Sequence, residues 1–178
     1  MKRVHKIIIA VLLLTVLIAG GGILYVSHTL SKTLGAQKKE VTDLHQEAIT
    51  LSKEWTGLLE TYCVRLDGET NGRAPTIAAR TGMAILEKTV EDPASSMQDI
   101  CDAFRSLCGL VNDCYVMKDQ KDWSEETAAA YDAAQEIQGE IYSVMFQYNH
   151  AAEIYNEAIV GYEYGEIFGY RAVDLLYL

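Results

Sequence analysis

The feature that most restricts this chain is an uncharged apolar run from Ile7 to Val26, reading IIIAVLLLTVLIAGGGILYV. About 20 such residues, coiled as a helix, cover the hydrocarbon layer of a bilayer. In lipid the backbone must satisfy its own polar groups, which a single segment does only as a helix. Lys2, Arg3 and Lys6 make residues 1–6 a short basic tail, and Tyr25 stands near the far end, where an amphipathic ring prefers the interface. A cleaved signal peptide shares the basic start, but this run is longer than a usual apolar core and no A-x-A motif follows it. No Cys lies near it to carry a lipid anchor. The expectation is an uncleaved, single-pass transmembrane helix over 7–26 in the cell membrane. Basic residues hold the end they crowd in the cytoplasm, and Lys32, Lys38 and Lys39 lie farther from the span than Lys2, Arg3 and Lys6. The N-terminus is therefore expected inside and the rest of the chain extracytoplasmic.

Beyond the anchor the dominant signal is a helical period. Val41, Leu44, Ala48, Leu51, Trp55, Leu58 and Tyr62 follow one another at steps of three and four, and Leu66 extends the row. That spacing lays one narrow stripe along a long helix. A turn rich in Gly, Asn and Asp follows, DGETNGRAP. A shorter helix is expected from Ile77 to about Glu91, ended by Asp92-Pro93, because proline disfavours helical geometry in the residue before it. Ser95 or Ser96 is placed to cap the next helix, whose stripe is Met97, Ile100, Phe104, Leu107, Val111 and Cys114. After the connection MKDQKD, Asp122 or Ser124 caps a last long helix with Ala130, Ala134, Ile137, Ile141, Val144, Tyr148, Tyr155 and Ile159 on one side, ending near Gly161. Only Pro75 and Pro93 interrupt the chain, and no stretch alternates with period two. The expected fold is all-α: the transmembrane helix, then an antiparallel up-down helical bundle over 30–160 with two long and two shorter helices. The tail, 161–178, is aromatic but carries Glu163, Glu166, Arg171 and Asp174, so it does not span a bilayer cheaply. It either rests near the membrane or folds back as a cap on the bundle.

Charge removes one class of partner. The formal net charge is -10, and no acidic residue precedes Glu40, so the bundle is more acidic than the whole chain. Such a domain is repelled by nucleic acid, and no nucleic-acid partner is expected.

The last long helix carries two Tyr-Asn pairs, Tyr148-Asn149 and Tyr155-Asn156, seven residues apart and hence on one face; Ile159 closes this stretch, and Gly169-Tyr170-Arg171 follows in the tail. This resembles the C-terminal signature of the LemA family, in which two such pairs precede an aromatic segment and a Gly-aromatic-basic tail. The pattern departs from the family's at Tyr162-Glu163, where Phe-Pro is usual, and in the first bundle helix, which lacks the family's Arg-rich and Pro-Asn signatures. The resemblance is that of a divergent member. It implies a basic tail, one membrane helix and a helical bundle, and it implies no enzymatic activity. Tyr148 and Tyr155 fall on the apolar stripe, so their rings are expected in the core with hydroxyls that need partners. Asn149 and Asn156 sit one position round, able to bond a neighbouring helix or the tail.

No catalytic constellation stands out. His5, His28, His45 and His150 show no zinc spacing, and Cys63, Cys101, Cys108 and Cys114 contain no C-x-x-C. No metal or cofactor is expected. Three cysteines fall on one helix too far apart along its axis to bridge, so only Cys63 has a possible internal disulfide partner. Glu136 and Glu140 share a face without an identifiable partner and read as a solvated surface. The expected role is a non-catalytic interaction or scaffold module at the bacterial envelope, binding protein partners or itself. The alternative is an envelope sensor or ligand-binding module using a cleft between the long helices.

Overall fold

The computed structural model describes residues 2–70, 74–116, 123–162 and 165–177, with side chains from Leu14 onward except at 74, 75, 115 and 116. The expected connection 117–122, with Asp122, and the middle of the first turn, 71–73, lie outside the described residues, as does Glu163. The chain is all-helical, with no strand among the described residues. Its four helices are α1 (Lys2–Thr70), α2 (Ala74–Glu91), α3 (Met97–Val116) and α4 (Glu125–Val160), followed by a 3-10 turn over Glu166–Phe168.

The ends of the helices follow local chemistry. At α3 the Ser96 hydroxyl accepts from the Asp99 backbone N–H at 3.2 Å, while the Asp99 carboxylate accepts from the Ser96 N–H at 2.7 Å. This reciprocal capping box satisfies two donors that no helical carbonyl reaches. At α4 the Ser124 hydroxyl accepts from the Thr127 N–H at 3.2 Å. α2 stops at Glu91, and Asp92 closes the turn by accepting from the Ala94 N–H at 2.9 Å. Of the caps offered by the sequence, Ser96 and Ser124 are the ones seen.

The first helix is longer than its hydropathy pattern suggested. No break separates the apolar run from the bundle stripe; α1 runs through Ser27–Leu34 without interruption. That segment holds no proline and its two leucines continue a stripe, so nothing in the backbone chemistry stops the helix there.

The contacts divide the chain into two compact units. The larger comprises Val41–Glu153 and Val173–Leu178. In it the later part of α1, α2, α3 and α4 form the bundle core. Trp55, Leu59, Tyr62 and Leu66 of α1 are buried with Leu86 of α2, Ile100, Phe104 and Leu107 of α3, and Ile141, Met145 and Ala152 of α4. The α1 seam drifts by one residue from the simple three-four row, so that Ser52 and Leu59 are buried where Leu51 and Leu58 are half-buried. A ladder of rings ties three helices together: Trp55 to Phe104 at 4.9 Å between centroids, and Phe104 to Tyr142 at 4.9 Å. Such pairs add about 0.5–1.5 kcal/mol each beyond area burial. A second cluster joins Tyr62, Trp123 and Tyr131.

Polar staples close the far end of this unit. Arg80 of α2 pairs with both Glu60 and Asp67 of α1, and Asp67 also accepts from the Thr76 hydroxyl. The Glu69 carboxylate accepts from the hydroxyls of Ser124 and Thr127, joining the last turn of α1 to the first of α4.

The smaller unit comprises Met1–Glu40 and Ile154–Ala172. Its α1 residues from Leu14 to Val26 are exposed except Gly20, whereas Leu30 and Leu34 are buried. Among the described residues α1 is the one helix long and apolar enough to cross a membrane.

Candidate functional site

The two Tyr-Asn pairs each meet a piece of the C-terminal tail, and each does so within its own unit. In the larger unit the Asn149 carboxamide donates to the Leu176 carbonyl at 3.1 Å and accepts from the Leu176 N–H at 2.6 Å. The side chain thus replaces the backbone partner that an extended segment would find in a sheet. The Tyr148 hydroxyl donates to the Asp174 carbonyl at 3.4 Å. Burial raises the Tyr148 phenol above its usual range, and the Asp174 charge adds to it. From α3 the Arg105 guanidinium donates to the Tyr177 carbonyl at 2.7 Å, and the Gln98 carboxamide oxygen accepts from the Tyr177 N–H at 3.0 Å. Residues 173–177 are therefore an extended strap laid against α3 and α4 and held by side chains.

Strap geometry sorts its side chains. Successive residues of an extended chain point to opposite sides. Leu176 points in and is buried, whereas Leu175 and Tyr177 are exposed, Tyr177 at 82%. Tyr142, Phe146 and Asn149 follow one another on α4 at helical spacing, so they share the face on which Leu176 is held. Phe146 is 70% exposed and Tyr142 is exposed at its edge. Leu175, Tyr177, Phe146 and Tyr142 together make a largely aromatic surface around the strap.

In the smaller unit the second pair lies beside the tail's Gly-Tyr-Arg. Gly169 has φ of +82°, in the left-handed region. Its N–H bonds the Glu166 carbonyl at 3.0 Å, and the Tyr170 N–H bonds the Gly165 carbonyl at 3.1 Å. These are the paired bonds of a Schellman closure, which needs a residue without Cβ strain at this position. The turn brings Tyr170 over α1: its hydroxyl lies 3.5 Å from where a Cβ on Gly35 would sit, and the Lys38 ammonium is 5.8 Å from its ring centre. Tyr155 is fully buried. Burial raises its phenol above the usual range, the neighbouring Tyr170 adds to this, and the Arg171 backbone N–H opposes it. That amide faces the Tyr155 hydroxyl without forming a hydrogen bond of normal geometry. Asn156 and Ile159 are half-buried and Arg171 is exposed.

A second feature of the larger unit is a cleft of about 400 Å³ lined by His45, Gln46 and Lys53 of α1, the Glu91 end of α2, Asp92, Pro93 and Ser95 of the turn, and Ile100 of α3. The imidazole Nε2 of His45 is buried there without a hydrogen-bond partner, and burial lowers the pKa of the ring. The cleft lies against the α2–α3 turn, not in the seam of the two long helices where the sequence suggested looking. His150, the other bundle histidine, is exposed. Among the described residues no three His, Cys, Asp or Glu side chains converge as metal ligands would.

None of the four cysteines forms a disulfide. Burial pushes Cys63 up to about 12, with the neighbouring Cys114 adding to the rise. Burial pushes Cys108 up to about 11, although it shares a hydrogen bond with Tyr142. Such thiols are protonated at neutral pH and poor nucleophiles.

Sequence periodicity placed the Tyr-Asn pairs on one face but gave no sign of Gln98 and Arg105, which hold the last residues of the strap. Both read as ordinary solvated polar residues on a helix. No protein-family model matches the chain, and no curated protein or solved structure is significantly similar to it.

Proposed function

We propose that this chain is a membrane-anchored helical module of LemA type that docks protein partners at the bacterial envelope, with its N-terminus in the cytoplasm and its bundle outside. The observation that carries the reading is the aromatic surface of Tyr142, Phe146, Leu175 and Tyr177. Exposed aromatic side chains grouped on a rigid support are what protein interfaces use as anchors, because they bury much area at little entropic cost. Here the support is rigid by construction, since both backbone groups of Leu176 and of Tyr177 are held by side chains. No reaction is assigned to the chain.

The test is site-specific photocross-linking of the full chain in its native membranes, with the photoreactive residue at 146, 177 or the exposed polar position Glu54. Discrete adducts from 146 and 177, but not from 54, are expected, either to another protein or to a second copy. Equal labelling from all three positions, or none from any, removes the proposal.

The His45 cleft favours a second reading, a sensor or ligand-binding module. Its volume falls in the range of small-molecule sites, and it holds an unsatisfied buried nitrogen. A small molecule retained in native mass spectrometry by the parent, but not by His45→Phe, would put this reading first.

A further inference from the structure

We infer that the turn after α4, formed by Val160 at the helix end and the 3-10 turn Glu166–Phe168, is a foot whose outward side chains reach the lipid headgroup layer beside the anchor; this rests on the reading of α1 as a membrane span. The argument lies wholly within the smaller unit. A Cβ on Gly165 would meet Leu34 at 3.8 Å and Ile159 at 3.9 Å, so the turn is docked on α1 at Leu34. Tyr155 neighbours Tyr170, which lies over Gly35 and Lys38, whereas Ile159 lies nearer Leu34. From Tyr155 to Ile159 α4 therefore descends α1 towards the apolar segment. Val160 is one step farther along.

The distances suit a headgroup contact. Leu34 is eight residues past Val26, about 12 Å along the helix. The headgroup layer is about 5–7 Å deep. The turn thus hangs just outside that layer, and outward side chains span the rest. Three of those side chains are apolar, with Glu166 exposed beside them: Val160 is 85% exposed, Ile167 76%, and Phe168 is exposed as well. Amphipathic elements bind membranes by burying such groups at the boundary of headgroup and acyl chain. Lys32, exposed on α1 at the same height, adds a cation for lipid phosphate. An apolar turn tip that met only water would leave these groups unburied in an otherwise acidic chain.

Brominated lipids read the depth of a tryptophan through loss of its emission. The full chain is reconstituted in phosphatidylcholine and phosphatidylglycerol vesicles with Ile167→Trp, Leu17→Trp or Val64→Trp, each compared with the parent, whose own tryptophans are Trp55 and Trp123. All three positions are exposed, so the substitutions leave the packing alone; circular dichroism equal to the parent's verifies this. Leu17→Trp is expected to lose emission with lipids brominated deep in the acyl chain, Ile167→Trp with lipids brominated next to the headgroup, and Val64→Trp with neither. If Ile167→Trp behaves like Val64→Trp while Leu17→Trp is quenched, the anchor stands and the foot is wrong. An unquenched Leu17→Trp overturns both. Ile167→Trp shielded from aqueous quencher in native membranes, yet unquenched in brominated vesicles, assigns the turn to a protein neighbour and likewise overturns the foot.

Discussion

The Asn149 carboxamide holds the Leu176 backbone by both of its polar groups, at 3.1 Å to the carbonyl and 2.6 Å to the amide. One side chain thereby does for an extended segment what a neighbouring strand does in a sheet. The strap needs this, because residues 174–177 make no backbone–backbone hydrogen bond among the described residues. Tyr148, Gln98 and Arg105 complete the same task around it.

Asn149→Ala should therefore loosen the strap rather than the bundle. Leaving partly buried backbone groups without partners costs about 1–3 kcal/mol each, and water reaching the freed strap relieves some of that, so a loss of about 2 kcal/mol is expected. Asn149→Asp should do no better, since it removes the donor to the Leu176 carbonyl and sets a negative charge against it. Urea denaturation measures the loss, and carboxypeptidase digestion locates it. An unchanged midpoint with unchanged digestion of the C-terminus would show that the pair holds nothing.

Gly169 offers a test of the turn before the strap. At φ of +82° a Cβ crowds the following carbonyl, at a cost of roughly 1–2 kcal/mol. Gly169→Ala is expected to destabilise by about 1 kcal/mol and to unseat Tyr170 from Gly35. Gly169→Asn should recover part of the loss, because Asn tolerates the left-handed region better than Ala. Equal stability of the Ala and Asn variants would argue against backbone strain as the cause.

Much of this fold is written in local chemistry. Pro93, Ser96 and Ser124 mark where α2, α3 and α4 end or begin, and each acts at short range, through the restriction proline places on the residue before it or through a cap, whereas α4 ends next to Gly161 without a left-handed glycine. The join of the apolar run to the bundle was not legible, because hydropathy changes at Val26 while the backbone has no reason to. The α1 seam was misplaced by one residue at Leu51 and Leu58, because helices on more than one side bury a wider stripe than a two-helix seam does. The strap was legible only in part. The repeat of Tyr-Asn at seven residues fixed a shared face, but an extended segment bonded by side chains has no period of its own.

The thiols predict an alkaline limit. Burial raises Cys63 from 9.0 to about 12, with Cys114 the next contribution. The folded chain thus holds its proton where the unfolded chain has released it. The stabilisation from the neutral thiol is fully present below pH 9 and is lost as pH rises towards about 12. Cys63→Ala removes this titration. It should lower stability at pH 7 by opening a small void, yet show a shallower decline between pH 9 and 12 than the parent does. Parallel declines for the two chains would mean that Cys63 does not carry the effect. In the native chain at pH 7 a disulfide reagent should react slowly with Cys63 and rapidly once urea unfolds the bundle.

Two helical glycines should respond to the same substitution with opposite signs. Gly139 of α4 has nothing within 4 Å of a built Cβ, so Gly139→Ala gains helix propensity and removes backbone freedom from the unfolded chain. A gain of about 0.5–1 kcal/mol is expected there. At Gly82 of α2 the new Cβ would lie 2.9 Å from a terminal methyl of Leu107 and 2.9 Å from one of Leu110, both on α3. Leu110 is half-buried and has room to swing aside, but Leu107 is fully buried. Overpacking of this kind costs about 1–3 kcal/mol, which outweighs the propensity gain and leaves Gly82→Ala less stable by about 1 kcal/mol. Adding Leu107→Val should return part of that loss, whereas in the parent Leu107→Val only destabilises. A double-mutant cycle by urea denaturation reads the coupling between the two positions, and strict additivity would mean that α2 and α3 do not approach each other at Gly82.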